Sequence, residues 1–142
     1  MRTRPLRRPL AIAAILAVSL TSCQSDPELV LDAPASKVPI EGTDRYRVTL
    51  TPEAAERLDI QTAEVSETEL GLSISSDALI LDIEGSFWVY VNSEPLTYER
   101  VGVSPVREEG GEAFFSDGPP PGTPVVVVGV PELYGEETGV GK

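Results

Sequence analysis

Short apolar runs separated by turn residues make up the sequence after residue 44, and this pattern limits the chain to a fold of short strands. The run FWVYV at 87–91 is the most β-prone segment, and the apolar run at 125–128 has the length of a buried strand. The segment 51–59 (TPEAAERLD) predicts a helix of barely two turns, because its opening Thr-Pro pair suits a cap and a first helical position. We therefore predict a mainly β fold, a small β-roll or barrel of about six to eight short strands with one short helix.

The N-terminal residues have the order of a bacterial secretory signal that ends at a lipidation site. Arginines precede an apolar stretch at 10–20, which is about half of the roughly 20 residues that a membrane-spanning helix needs. The tetrapeptide LTSC at 20–23 then resembles the lipobox of bacterial lipoproteins, in which the cysteine receives diacylglycerol and cleavage occurs just before it. The resemblance implies a signal peptide over 1–22, cleavage between Ser22 and Cys23, and acyl chains on Cys23.

This interpretation predicts the location and the domain boundaries of the protein. We expect it to be exported and held on the extracytoplasmic face of the cell membrane by the lipid on Cys23. Residues 23–43 are rich in Pro, Asp, Ser and Ala, which predicts a flexible tether with a reach of roughly 25 Å. Residues 44–137 then form the β-rich domain, and residues 138–142 form a disordered tail.

Charge and residue usage exclude several classes of function. The chain has a formal charge of −12, and removal of the signal peptide takes four of the 11 basic residues and none of the 23 acidic ones. The acidity argues against nucleic-acid binding and against adsorption to anionic lipid headgroups. It is most simply a solubility device, and a site for cationic ligands or metal ions is the alternative.

Two residue types that dominate enzyme and metal chemistry are nearly missing. The chain has no histidine, and Cys23 is its single cysteine. Ser-His-Asp and Cys-His catalysis and metal sites built on imidazole or thiolate are therefore excluded. We expect a protein that is not an enzyme and has no cofactor or metal.

Two parts of the chain resemble the periplasmic adaptor subunits, or membrane fusion proteins, of efflux pumps. The segment 48–63 (VTLTPEAAERLDIQTA) resembles the opening of their folded region. The second half resembles their membrane-proximal domain through four motifs: SDALIL (76–81), FWVYV (87–91), YERVGV (98–103), and a closing stretch with SDG (116–118), Gly122, VVVV (125–128), Gly129 and Leu133. A complete adaptor is much longer and inserts a β-barrel, a lipoyl-like domain and a helical hairpin where this chain has only residues 64–77.

The resemblance implies an accessory or truncated adaptor-like component that contacts a membrane transporter and takes part in transport or efflux. In the family the helical hairpin reaches the outer-membrane channel. Because this chain shows no such hairpin, we expect it to have no role in bridging to that channel. The alternative is a free-standing cell-surface module that binds a small ligand, a cation or an envelope polymer. Trp88 and Tyr90 lie on one face of their predicted strand, so they are either core residues or candidate surface contacts.

Three other motifs are weaker indications of a site. Carboxylates that could hold calcium cluster at a glycine turn without a calcium-loop pattern, which favours a solvated turn: Glu108, Glu109 and Glu112. Asp82 and Glu84 form a carboxylate pair of the kind used in glycoside hydrolysis, without a pocket or sugar platform nearby in the sequence. The terminal GVGK at 139–142 lacks the upstream glycine and the Ser or Thr of a phosphate loop.

Overall fold

Strand-forming segments and turns alternate through residues 33–139, which are the residues that the computed structural model describes. Within this range the chain forms 11 strands and two α-helices, with the strands in two open antiparallel sheets. The predicted mainly β fold is confirmed. The prediction of six to eight strands was too low because several strands are only two to four residues long, and neither sheet closes into a barrel.

The larger sheet has seven strands. They are β1 (Ala35–Pro39), β2 (Tyr46–Leu50), β3 (Gln61–Glu64), β6 (Ile80–Leu81), β7 (Phe87–Glu94), β8 (Thr97–Val103) and β11 (Pro124–Val128). Their order is β1-β2-β8-β7-β11-β3, and β6 pairs with β7. The first and last strands of the described chain therefore contribute to the same sheet.

The smaller sheet has four strands in the order β4-β5-β10-β9. They are β4 (Ser66–Thr68), β5 (Gly71–Ser75), β9 (Arg107–Glu109) and β10 (Glu112–Phe115). The two helices are α1 (Pro52–Arg57) and α2 (Val130–Thr138), and a single 3₁₀ turn spans Ser76–Ala78. In the part of the chain that is described, neither helix is long and apolar enough to cross a membrane.

Both faces of β7 are buried, and this strand connects two separate cores. Val89 and its neighbours pack against the smaller sheet, in a cluster that includes Ile74 and Phe115. Tyr90 lies on the opposite face, in a cluster with Ala54 of α1 and Leu133 of α2. The domain consequently has three layers, with the helices on one side of the larger sheet and the smaller sheet on the other.

Helix α1 follows its predicted sequence signals. The side chain of Thr51 accepts a hydrogen bond from the backbone N–H of Ala54 at 3.2 Å, and Pro52 occupies the start of the helix. Ala54 and Ala55 are buried, whereas the charged residues of the helix face outward. A six-residue helix is too short to be stable alone, so its packing on the larger sheet holds it.

The folded domain begins inside the segment 23–43 that was predicted to be a flexible tether. β1 lies inside the range 23–43 and pairs with β2 along its whole length, from Ala35 opposite Leu50 to Pro39 opposite Tyr46. Four of its five residues are exposed because it is an edge strand, which removes the hydrophobic periodicity that would have predicted it. Only residues 24–34 then separate Cys23 from the first strand.

Helix α2 is a second departure from the predicted fold, which contained one helix. Its sequence VPELYGEET is rich in Glu and contains a Gly, so it shows little hydrophobic periodicity. Val130, Leu133 and Glu137 nevertheless share one buried face. The helix also includes Thr138, the first residue of the predicted tail. The predicted signal peptide, Ser22, Cys23 and the last three residues of the GVGK motif lie outside the described residues.

Gly129 makes the junction between β11 and α2. Its φ of +85° is in the left-handed region, and a Cβ at this position would lie 2.3 Å from Ile60 Cδ1 and 3.2 Å from the Leu58 carbonyl oxygen. A larger residue at this position would therefore have a strained backbone and would clash with Ile60 and Leu58. The glycine lets α2 turn back over the helix side of the larger sheet.

Candidate functional site

A cleft of about 630 Å³ opens between the end of α2, the turn at 82–86 and the start of β2. We call it the α2 cleft, and its lining includes Lys37, Tyr46, Glu84, Trp88, Arg100 and Tyr134. These side chains come from four strands, one helix and one turn, and they are up to about 100 positions apart in the chain. The size lies within the range of small-molecule sites, and the lining combines aromatic and charged groups.

The floor of the α2 cleft is a buried cluster around Glu137, which is only 1% exposed. Its Oε2 accepts hydrogen bonds from the Tyr90 hydroxyl and from Arg100 Nε, the latter at 2.7 Å. Its Oε1 accepts from the backbone N–H of Tyr46 at 3.1 Å, and its carbonyl accepts from Lys37 Nζ at 3.1 Å. The buried carboxylate is thus paired and satisfied on both oxygens, as a buried charge must be.

Protonation states in this cluster follow from burial and from Glu137. Burial raises the pKa of the Tyr90 hydroxyl, and the hydrogen bond to Glu137 raises it further, so Tyr90 remains a donor. Burial lowers the pKa of Arg100, but the hydrogen bond and charge of Glu137 more than offset this, and the net pKa lies above its ordinary value. Arg100 therefore stays charged at neutral pH.

Basic side chains lie over the aromatic rings beside this cluster. The guanidinium groups of Arg45 and Arg100 lie 5.4 and 5.3 Å from the centroid of the Trp88 ring. Arg100 also lies 5.5 Å from the Tyr134 ring, and Arg45 Nη1 donates to the Arg100 carbonyl. Each such contact contributes about 0.5–2 kcal/mol, depending on its exposure. These noncovalent contacts connect the side chains of the cleft walls and hold them in a fixed arrangement.

Trp88 and Asp82 hold the turn that forms one side of the cleft. The indole N–H of Trp88 donates to Asp82 Oδ2 at 2.7 Å, and Asp82 Oδ1 accepts from the backbone N–H groups of Glu84 and Ser86 at 2.9 and 2.8 Å. The indole hydrogen bond, and then that from Ser86, holds the pKa of Asp82 below its ordinary value. Asp82 is thereby engaged in the turn, whereas the Glu84 side chain is exposed.

The two candidate surface contacts have different surroundings. Trp88 is partly exposed and lines the α2 cleft. Tyr90 is 0% exposed, so its prediction as a surface contact was wrong. The reason is α2, which the sequence did not predict and which covers this face of β7. Tyr90 is instead a core residue, which was the alternative prediction.

Several residues of the site were missed at the sequence level. Arg100 lies opposite Tyr90 in the β7–β8 register, but its partner Glu137 is 37 positions away. One signal was available for Glu137, because it follows Val130 and Leu133 at helical spacing. No local pattern indicated Lys37, which lies on an edge strand.

The acidic turn at β9 and β10 holds no cluster of metal ligands. Glu112 Oε2 accepts a hydrogen bond from the Ser73 hydroxyl at 3.0 Å, and Glu109 lies 3.6 Å from Arg107. Across residues 33–139, no three His, Cys, Asp or Glu side chains are grouped so that they could hold a metal ion.

A second cleft of about 710 Å³ shares Trp88 with the first. Its lining is mostly apolar and backbone groups from the ranges 85–88 and 101–106, and Asp117 is its one charged residue among those described. It therefore lacks the convergent polar groups of the α2 cleft, which is the stronger candidate.

The chain was also compared with known proteins. No family model, no curated protein and no solved structure matches it.

Proposed function

We propose that the protein is a lipid-anchored, non-catalytic component of the bacterial cell envelope. Its β domain acts by contact with a membrane transporter, as an accessory or truncated adaptor-like protein in transport or efflux. The lipid on Cys23 holds it at the extracytoplasmic face of the membrane.

One observation carries this proposal, namely that the two adaptor-like parts of the chain pair in one sheet. β2, from the first part, pairs with β8 from the second, with Val48 opposite Tyr98. β3 likewise pairs with β11, with Ala63 opposite Val125. Where adaptors carry their long insertion, this chain has only the short strands β4 and β5. A sheet made from both parts is consistent with a membrane-proximal domain that stands without the insertion.

The start of β1 limits how far the domain can move from an anchor at Cys23. Eleven residues, 24–34, lie between them. A fully extended chain spans about 3.3–3.6 Å per residue, which gives a limit of about 40 Å. The domain of an anchored protein would therefore work close to the bilayer, where the extracytoplasmic surface of a transporter lies.

The test is fractionation and cross-linking in native membranes with the full chain and with Cys23→Ala. We expect the wild-type chain to fractionate with membranes and to cross-link reproducibly to a transporter. Cys23→Ala should lose both properties. Membrane association that persists in Cys23→Ala after its signal peptide has been cleaved elsewhere would refute the anchor. A wild-type chain that links to no integral membrane protein would refute the contact.

A second candidate, the ligand-binding module, is favoured by the α2 cleft itself. Its volume and its aromatic and charged lining suit a small ligand. Trp88 is the chain's single tryptophan, so its fluorescence reports on the cleft. A saturable change on titration with spermidine or soluble peptidoglycan fragments, lost in Tyr134→Ala, would support this candidate. A flat titration with both probes would count against it.

A further inference from the structure

The turn between β6 and β7 exposes apolar side chains that the fold does not use. Ile83 is fully exposed at the tip of this turn, and Leu81 beside it is 61% exposed. The turn is held by Asp82, which accepts hydrogen bonds from two backbone N–H groups and from the Trp88 indole. The aliphatic side chain of Ile83 is therefore presented on a fixed support, as a binding surface requires.

The unpaired charged side chains next to this turn are mostly acidic. In the α2 cleft Arg100 and Glu137 neutralise each other. Three carboxylates remain, on Asp44, Asp82 and Glu84, and they outnumber the two remaining basic groups, on Lys37 and on Arg45 over the Trp88 ring. Among the described residues, none of these three carboxylates has a basic side chain within 4.0 Å. Such a rim repels anionic lipid headgroups and attracts Lys or Arg side chains.

We propose that Leu81, Ile83, Glu84 and Asp44 form a docking surface for a protein segment. That segment belongs to the membrane transporter and offers an apolar pocket bordered by Lys or Arg side chains. An apolar centre with a charged rim is the usual anatomy of such contacts. The inference rests on the proposed function and adds to it the part of the domain that makes the contact and the chemistry of the partner.

The test uses a photo-cross-linking benzophenone amino acid in the full chain in native membranes. It replaces Ile83 in one variant and Leu70 in a matched control, because Leu70 is 59% exposed and lies between β4 and β5 of the smaller sheet. We expect an adduct with an integral membrane protein from position 83 and none from position 70. The linked peptide of the partner should contain Lys or Arg.

Charge reversal tests the rim separately. The joint change Asp44→Lys with Glu84→Lys should lower the adduct yield about tenfold or more, because it sets like charges against each other. The matched change Glu67→Lys with Glu108→Lys, in the smaller sheet, should alter the yield less than about twofold. Trp88 emission checks in each variant that the turn is intact.

The outcomes separate this inference from the proposed function. An adduct from position 70 alone would overturn the docking surface and leave the contact with a transporter standing. An adduct with phospholipid at position 83 would replace the protein partner by the bilayer surface. An unchanged yield in the double Lys variant would overturn the basic border. No adduct from position 83 overturns the docking surface, and the Cys23→Ala cross-linking comparison then decides the wider function.

Discussion

The two faces of the larger sheet are buried by different chemistry. Toward the smaller sheet the core is apolar, with Val89, Val125 and Phe115 among its members. Toward the helices the core contains, besides its apolar residues, the hydrogen-bonded ion pair of Arg100 and Glu137. An apolar core accepts many packings, whereas a buried ion pair is satisfied in one geometry. The face toward the helices therefore specifies where α2 sits, and the face toward the smaller sheet supplies general stability.

The largest expected effect comes from removing the buried carboxylate. Glu137→Ala leaves Arg100 and the Tyr90 hydroxyl buried without their partner, and we expect a loss of about 3–5 kcal/mol in the free energy of unfolding. Urea denaturation followed by Trp88 fluorescence measures it.

Two controls sharpen this prediction. Glu108→Ala, on the exposed acidic turn, should change stability by less than about 0.5 kcal/mol. The joint change of Glu137 and Arg100 to Met should cost less than Glu137→Ala alone, because no unpaired charge remains. If Glu137→Ala costs no more than Glu108→Ala, the contrast between the two faces is wrong.

A truncation in the apolar face should have a smaller effect. Val89→Ala removes two buried carbon atoms from a fully buried position, which costs about 2–3 kcal/mol. The loss should not depend on salt, because the substitution removes no charge. Urea midpoints at low and high salt provide the measurement, and a salt-dependent loss in Val89→Ala would contradict the assignment of this face as apolar.

The smallest expected effect, and the one that depends on pH, belongs to Tyr90. Tyr90→Phe removes one hydrogen bond to a charged acceptor that keeps two other donors, so we expect a loss of about 1–2 kcal/mol at neutral pH. Because the folded pKa of Tyr90 is raised above its ordinary value of 10.0, its contribution is complete below that pH and is lost as pH rises toward the folded pKa. The wild type should therefore weaken above about pH 10 more steeply than Tyr90→Phe. Equal slopes in an alkaline denaturation series would contradict the buried, protonated hydroxyl.

The predictable parts of this fold are those whose signals are local. The helix at Pro52 follows from its cap, and the central strand β7 follows from its β-prone residues. β1 could not be predicted because an edge strand with exposed residues has no hydrophobic period. α2 was missed because Gly and Glu weaken its pattern, although Leu133 and Glu137 share a face. The candidate site depends on both missed elements. Trp88, Tyr90, Asp82 and Glu84 were named in advance, but their convergence with Arg100 and Glu137 was therefore not predicted.

The contacts of Glu137 also decide when the domain can be completed. Its partners are 37, 47, 91 and 100 positions earlier in the chain. Such long-range contacts form late in folding, because the entropic cost of closing the intervening loops comes before the contacts can stabilise the fold. A chain that is still emerging, N-terminus first, can already form the β7–β8 hairpin but holds Arg100 without its acceptor. The helix side of the domain can therefore be completed only after Val130–Thr138 have been synthesised.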